Sequence, residues 1–476
     1  MDVVAGMADN AAAPTSPMGP LVQLEMPVLP LVESNDACEP LVPKGIHEEL
    51  LPARLVTLGC KVNQYETEYV RELLLQNGYR EAERGESAVL AVVNTCTVTS
   101  ESDRKSRKLI YQMARANPGA KIVVMGCYAT AEPETIRRLP GVAAVVTDKR
   151  NLAGALKPFG VQRDVRGIRR FEGHQRAFVK VQDGCILDCT FCIIPKVRPG
   201  LLSRNPDDIV EEVRRLVDAG YREIVMTGIH LGHYGVDLSQ GRPRREWCRL
   251  WHLLDRIATL PGDFRIRLSS LEATEVTDDF VRVLAEHSGR ICPHLHLSLQ
   301  SGSDAVLARM KRRYRVKKFV ARCEQLRSRL DQPAFTTDII VGFPGETDAD
   351  FDATCDVVRA VGFSKLHLFP FSARRGTEAA DFGNKVSDVV LGERMDRLSR
   401  LGAEVARDYY ESLIGRRLEM LVETPHPERS GMMRGTACRY APLLLETLPS
   451  LRGRLVPVQA VRWNHGFLEV APVHED

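Results

Sequence analysis

Three cysteines within eight residues constrain this 476-residue chain more than any other feature: Cys185, Cys189 and Cys192, in the run Gly184-Cys185-Ile186-Leu187-Asp188-Cys189-Thr190-Phe191-Cys192. The run follows an apolar strand signal at 178–181. A Cys-x3-Cys-x2-Cys spacing brings three thiolates to one short loop, where they can hold three irons of a cubane iron–sulfur cluster. The fourth iron then has no protein ligand and can chelate the amino and carboxylate groups of S-adenosylmethionine (SAM). One electron passed through that iron can cleave a sulfur–carbon bond and release a 5′-deoxyadenosyl radical. The alternative is a zinc site missing a ligand, but zinc favours paired Cys-x2-Cys knuckles, and no second such pair stands in the sequence.

Strand and helix signals alternate around this loop. Strands are expected at 178–181, 224–227, 265–268, 294–299, 337–341 and 365–369, with amphipathic helices such as 207–219 and 350–361 between them. Six β/α units predict an α/β fold with a central partial (β/α)6 barrel whose reactive loops lie at the strand carboxyl ends. Upstream, strands at 54–58, 89–93 and 121–125 alternate with helices at 66–76 and 102–116, the signature of a small parallel α/β domain. Residues 151–173 read as a linker, and a long helix is expected at 386–412. From Gly415 the texture changes to short strands at 418–423, 435–440, 455–461 and 467–470, a small all-β barrel. The expected organisation is a disordered extension over 1–50, an N-terminal domain over 51–152, a core over 170–405 and a C-terminal barrel over 412–476. The extension contains seven prolines and Cys38.

Charge divides the same way. Residues 1–50 carry a net −7, leaving +10 on the remainder of a chain whose total is +3. A basic body suits a nucleic-acid partner and equally suits a solvated surface. No run approaches about 18 apolar residues, so no membrane span is expected, and the first twenty residues do not read as a secretory signal. The expected location is cytoplasmic, where twelve cysteines point to metal or cluster ligation rather than to disulfides.

A second set of cysteines is dispersed in sequence but uniform in context. Cys60, Cys96 and Cys127 each follow a strand signal, in Leu58-Gly59-Cys60, Asn94-Thr95-Cys96 and Met125-Gly126-Cys127. In a parallel sheet these strand ends open on one edge, where ligands bind. Three converging thiolates suggest a second cluster with an open iron; the alternative for each is a buried small hydrophobe.

Taken with the central loop, the stretches Thr57-Leu58-Gly59-Cys60-Lys61-Val62-Asn63-Gln64-Tyr65-Glu66 and Val93-Asn94-Thr95-Cys96-Thr97-Val98 resemble the radical SAM methylthiotransferases. Further matches are Thr227-Gly228-Ile229-His230-Leu231-Gly232, Leu268-Ser269-Ser270-Leu271-Glu272, Leu297-Ser298-Leu299-Gln300-Ser301-Gly302 and Val341-Gly342-Phe343-Pro344-Gly345-Glu346. Gly59-Cys60-Lys61-Val62-Asn63 is most similar to the branch acting on N6-threonylcarbamoyladenosine at tRNA position 37. The resemblance implies that Cys185, Cys189 and Cys192 ligate the 4Fe–4S cluster that binds SAM, and that Cys60, Cys96 and Cys127 ligate an auxiliary 4Fe–4S cluster. It implies methylthio insertion at adenine C2, one SAM supplying the radical and another the methyl group. It also implies a TRAM-like RNA-binding module at the C-terminus, a tRNA substrate, and an electron donor such as a flavodoxin or ferredoxin. Two departures from the family pattern stand out: Asp188 before the second thiolate, and a Pro inside Arg198-Pro199-Gly200. The same chemistry on isopentenyladenosine or on a ribosomal-protein Asp, and a non-catalytic iron–sulfur RNA-binding protein, are the competing readings.

Weaker signals have plainer expectations. The Gly-rich stretch 341–347 lacks the Lys of a phosphate loop. His294 and His296 alternate on one strand and are expected to pack and hydrogen-bond. His230 and His233 lie where a pocket could form, and Ser269, Ser270, Glu272, Ser298 and Gln300 could bond SAM or fill a polar core. Two basic runs, 104–108 and 311–318, could meet phosphates or solvent. Tyr440, Trp463 and Phe467 could stack on bases or fill the C-terminal barrel.

Overall fold

The computed structural model describes residues 50–473; the extension expected over 1–50 lies, except for Leu50, outside the described residues. The N-terminal sheet consists of β1 (Leu51–Thr57), β2 (Tyr79–Glu81), β3 (Leu90–Thr95), β4 (Lys121–Gly126) and β5 (Val142–Val145), all parallel, in the order β2-β1-β3-β4-β5. Every residue of β3 is buried, as expected for a central strand covered on both faces. β2 and β5 are too short to show a period, which is why sequence reading misses them.

The first helix corrects the sequence expectation. α1 spans Lys61–Leu75 rather than starting at 66. Cys60 takes the capping position in an extended conformation, and its side chain does not cap the helix amides. Asn63 compensates from inside the helix: its Nδ2 donates to the carbonyls of Leu58 (2.9 Å) and Thr95 (3.0 Å), fastening the ends of β1 and β3 together. Tertiary bonding of this kind overrides the weak local propensity of Lys-Val-Asn-Gln. α2 (Ser100–Ala116) starts two residues before the expected position because Thr99 caps it, accepting from the Ser102 amide. The segment over 151–173 is a packed strap rather than a free linker. Leu152, Leu156, Phe159 and Val161 enter the N-terminal core, while Ile168 and Phe171 enter the central one.

The central unit follows as β6 (Ala177–Asp183), β7 (Leu202–Ser203), β8 (Glu223–Gly228), β9 (Arg265–Leu268), β10 (Ser270–Leu271), β11 (His294–Leu297), β12 (Ala334–Val341) and β13 (Lys365–Pro370). They form two four-stranded sheets, β7-β6-β8-β9 and β10-β11-β12-β13, bridged by the parallel pair Ile266 and Ile291. β6, β8, β9, β11, β12 and β13 are the six expected parallel strands. β11 stops at Leu297, short of 299, and Gln300 turns through φ +63.

The C-terminal unit is a closed barrel, β14-β15-β16-β18-β17, of β14 (Arg417–Pro425), β15 (Met432–Ala437), β16 (Pro442–Glu446), β17 (Leu455–Asn464) and β18 (Phe467–Pro472). It covers the amino-terminal end of the central barrel. Glu223, fully buried, is held by Arg176, Arg265 and Arg267. Arg265 and Arg267 continue to the carbonyls of Thr436, Ala437 and Cys438. The Tyr440 ring stacks on His294 at 4.6 Å, and Trp463 stacks on Tyr410 at 4.7 Å. Both aromatics therefore take part in the junction with the rest of the chain. With one end of the central barrel closed, the strand carboxyl ends are left as its reactive edge.

Two glycines show how closely the backbone approaches itself at the N-terminal sheet edge. Gly59 has φ +109, and a Cβ there would lie 3.0 Å from the Cys96 Cβ. Gly126 has φ +101, and a Cβ would lie 2.3 Å from the Thr95 carbonyl oxygen. Gly126→Ala is expected to destabilise the iron-free chain by about 3 kcal/mol, from backbone strain and overpacking together. The urea midpoint of the N-terminal unfolding transition measures it, and an unchanged midpoint would contradict the steric argument.

Candidate cluster sites at two facing edges

The dispersed cysteines come together as strand topology requires. Cys60 follows β1, Cys96 follows β3 and Cys127 opens the short helix α3 (Cys127–Ala131) after β4, so the three leave adjacent strands on one edge. Cys60 is exposed, whereas Cys96 and Cys127 are buried. The edge is pinned by polar bonds. Thr95 Oγ1 donates to the Met125 carbonyl (2.6 Å), Asn94 Nδ2 donates to the Asn63 carbonyl (2.8 Å), and Ser106 Oγ donates to the Cys96 carbonyl (3.0 Å). Ser106 thus turns the basic run 104–108 inward at one position, while Arg104, Lys105 and Lys108 stay exposed.

Cys185, Cys189 and Cys192 lie on the loop leaving β6, followed by the short helix α4 (Ile194–Val197). The loop is fastened by the Thr190 amide on the Met310 carbonyl (3.3 Å) and by Thr190 Oγ1 on the Arg309 carbonyl (2.9 Å). Arg312 donates to Cys189 Sγ (3.2 Å) and is itself paired to Glu272 at 2.6 Å. The run 311–318 therefore divides: Arg312 belongs to the site, while Arg313, Arg315, Lys317 and Lys318 are exposed. Burial pushes the Cys192 thiol up to about 12 and raises Cys189 against the opposing Arg312 charge. Burial without metal favours neutral thiols, so a cationic iron would have to displace their protons.

Sequence reading placed His230 and His233 near a pocket but missed Glu275. The two imidazole rings stack at 3.7 Å, and a Glu275 carboxylate oxygen meets His230 Nε2. His230 Nδ1 lies 3.5 Å from Cys185 Sγ. Burial alone would lower the His230 pKa, but the bonds to Cys185 and Glu275 outweigh it and raise it to about 10. With both ring nitrogens engaged, His230 is a hydrogen-bonding neighbour of the loop. Ser269 Oγ, at the end of β9, is buried without a hydrogen-bond partner among the described residues, as a site for a polar ligand requires. His294 and His296 both approach Thr336 Oγ1, at 3.2 and 3.0 Å, which matches their expected packed role. In the turn after β12, Glu346 accepts from the Gly342 amide and pairs with Arg394.

The two departures from the family pattern both face outward. Asp188 is exposed, its carboxylate 3.9 Å from Lys311 Nζ. Pro199 is exposed, while Arg198 beside it is buried. Arg198 was not recognisable in sequence as a site residue. Its Nε donates to Cys127 Sγ (3.2 Å), and its terminal nitrogens reach Asn63, Glu66 and Asp183. Cys127 also packs against Ile193 and Val197, immediately beyond Cys192. Both cysteine sets thus border one junction.

Residues 53–148 match the model described as Uncharacterized protein family UPF0004, and residues 179–358 match the Radical SAM superfamily. Over 87% of this chain and 94% of the relative, the sequence is 38% identical to the threonylcarbamoyladenosine tRNA methylthiotransferase MtaB of Bacillus subtilis. The chain belongs to the MtaB-like radical SAM methylthiotransferases. A Thermotoga maritima relative of the same description is also 38% identical, over 78% of this chain and 86% of its own. A tRNA-2-methylthio-N(6)-dimethylallyladenosine synthase of Mycolicibacterium vanbaalenii is 35% identical over 77% of this chain and 76% of its own. Methylthiotransferases of this family use 4Fe–4S clusters and SAM. Both edges fit such clusters in donor chemistry: three free thiols each, and polar side chains that fix the loops carrying them. Among the described residues no helix is long and apolar enough to cross a membrane.

Proposed function

We propose that Cys185, Cys189 and Cys192 hold the 4Fe–4S cluster that binds SAM, and that Cys60, Cys96 and Cys127 hold the auxiliary 4Fe–4S cluster. When bound, these groups supply a carbon radical able to act on an unactivated adenine C–H bond, together with a sulfur to insert there. The observation that carries the reading is the shared junction, where Cys127 packs on the segment that leaves Cys192. Both edges border this junction, so a base entering it would be close to each.

The chain's own residues supply position. Thr190, Arg312 and Glu272 fix the loop of the SAM cluster. Asn63 and Asn94 fix the auxiliary edge. Ser269 Oγ offers a polar contact where SAM would lie. The enzyme is a tRNA methylthiotransferase that adds a methylthio group to C2 of N6-threonylcarbamoyladenosine next to the anticodon. The naming of its relatives and the Gly59-Cys60-Lys61-Val62-Asn63 stretch both support this substrate. We further propose a cytoplasmic location and a one-electron donor of the flavodoxin or ferredoxin class.

Anaerobically reconstituted protein, given SAM, a reductant and tRNA carrying either threonylcarbamoyladenosine or isopentenyladenosine, should methylthiolate the first and leave the second. Product on isopentenyladenosine alone would move the chain to the other branch. Absence of 5′-deoxyadenosine from cluster-loaded protein would make it a non-catalytic iron–sulfur protein.

A further inference from the structure

The guanidinium of Arg198 has five N–H groups in a rigid fork, and each has an acceptor. Nε–H points at Cys127 Sγ (3.2 Å). One terminal nitrogen donates to Glu66 Oε1 (2.7 Å) and Asp183 Oδ1 (2.8 Å). The other donates to Glu66 Oε2 (2.7 Å) and Asn63 Oδ1 (2.8 Å). These acceptors come from both sides of the junction: Asn63 and Glu66 from α1 of the N-terminal domain, Asp183 from the end of β6. Lys180 closes the network, pairing with Glu66 at 2.7 Å and Asp183 at 2.6 Å. With the other four donors committed to oxygens, the Nε–H has, among the described residues, the cysteine sulfur as its acceptor.

The Arg198 main chain reaches the other cysteine set. Its carbonyl accepts from the Cys185 amide (3.4 Å), and the neighbouring Val197 carbonyl accepts from buried Lys149 (3.2 Å) of the N-terminal domain. The side chain is 1% exposed. A buried arginine with two carboxylate partners needs no thiol for charge compensation, so the N–H···S contact is not explained by the ion network alone.

We infer that Arg198 is the positioning residue of the auxiliary cluster: its Nε–H···Sγ bond to Cys127 tunes that cluster, and its remaining bonds fix the cluster's edge against the loop of the SAM cluster. The inference rests on the ligand assignment proposed above. A donor and a positive charge beside a cluster sulfur stabilise the more negative, reduced state, and hydrogen bonds to sulfur are among the factors that set cluster potentials. Outer-shell partners of this kind change affinity or activity by about ten- to a hundredfold when removed.

The test uses full-length protein carrying Cys185→Ala, Cys189→Ala and Cys192→Ala, reconstituted with iron and sulfide so that only the auxiliary cluster is present. Its potential is measured by titration followed by electron paramagnetic resonance, with and without Arg198→Gln. The expected result is a shift to more negative potential and an altered signal in Arg198→Gln. Arg198→Lys, which keeps the charge but not the fork, should shift less in the same direction. In protein with all six cysteines, Arg198→Gln should form about tenfold more 5′-deoxyadenosine per methylthiolated tRNA. If Arg198→Gln does not fold by circular dichroism, Arg198→Lys decides. An unchanged potential and signal in the variant that folds and loads iron would overturn the inference and leave Arg198 as a domain staple. Selective loss of auxiliary iron from a folded variant supports it. A triple-alanine parent that holds no iron at all would instead overturn the ligand assignment, and this inference with it.

Discussion

Replacing Cys185, Cys189 and Cys192 together with alanine is expected to abolish 5′-deoxyadenosine formation while leaving about half the iron on the chain. The fold should tolerate the change. The loop keeps a frame that does not depend on the thiols: Cys192 N–H to the Cys189 carbonyl, and Thr190 to Arg309 and Met310; the contacts of Arg312 with Cys189 Sγ and of His230 with Cys185 Sγ would be lost. Removing the sulfurs therefore removes the proposed iron ligands and these side-chain contacts while leaving the main-chain frame in place. Chromatography of the nucleoside products after incubation with SAM and dithionite reads the first effect, and iron per chain reads the second. Retained 5′-deoxyadenosine would place SAM cleavage elsewhere. Loss of all iron would mean that Cys60, Cys96 and Cys127 hold none.

The complementary substitution, Cys60→Ala with Cys96→Ala and Cys127→Ala, should separate radical formation from sulfur insertion. SAM cleavage is expected to persist, because Cys185, Cys189 and Cys192 remain on their own fastened loop. Methylthiolated tRNA is expected to fall to background, because the sulfur has no holder. Two of the three cysteines are buried, so a modest stability cost accompanies the change, and circular dichroism controls for it. Normal methylthiolation by this variant would mean that the three thiols are packed side chains, the alternative that sequence alone leaves open for each.

What the sequence made legible follows from the range of the forces involved. The loop of Cys185, Cys189 and Cys192 is a local feature, with its thiols three and four residues apart. The auxiliary edge could be read because strand-then-cysteine repeats three times, and parallel topology places such ends together. The contacts that order these edges are long-range and left no local signal. Arg198 finds Glu66 and Asn63 more than 130 residues away, and its motif drew notice only for Pro199, which faces solvent. Glu275 sits 45 residues from His230. The buried Glu223 with Arg176, Arg265 and Arg267 could not be recognised because charged residues on a strand ordinarily mark its wet face; here that face is covered by the C-terminal barrel. The start of α1 was missed because Asn63 is fastened to β1 and β3, which local propensity does not encode.

Nucleoside mass spectrometry of tRNA from cells lacking this chain tests the substrate and the chemistry together. N6-threonylcarbamoyladenosine should accumulate without its methylthio group. The group should return when the natural chain is restored and should not return with either triple-alanine chain. Fully methylthiolated threonylcarbamoyladenosine in the deleted cells, with the methylthio group missing from isopentenyladenosine instead, would contradict the proposed function.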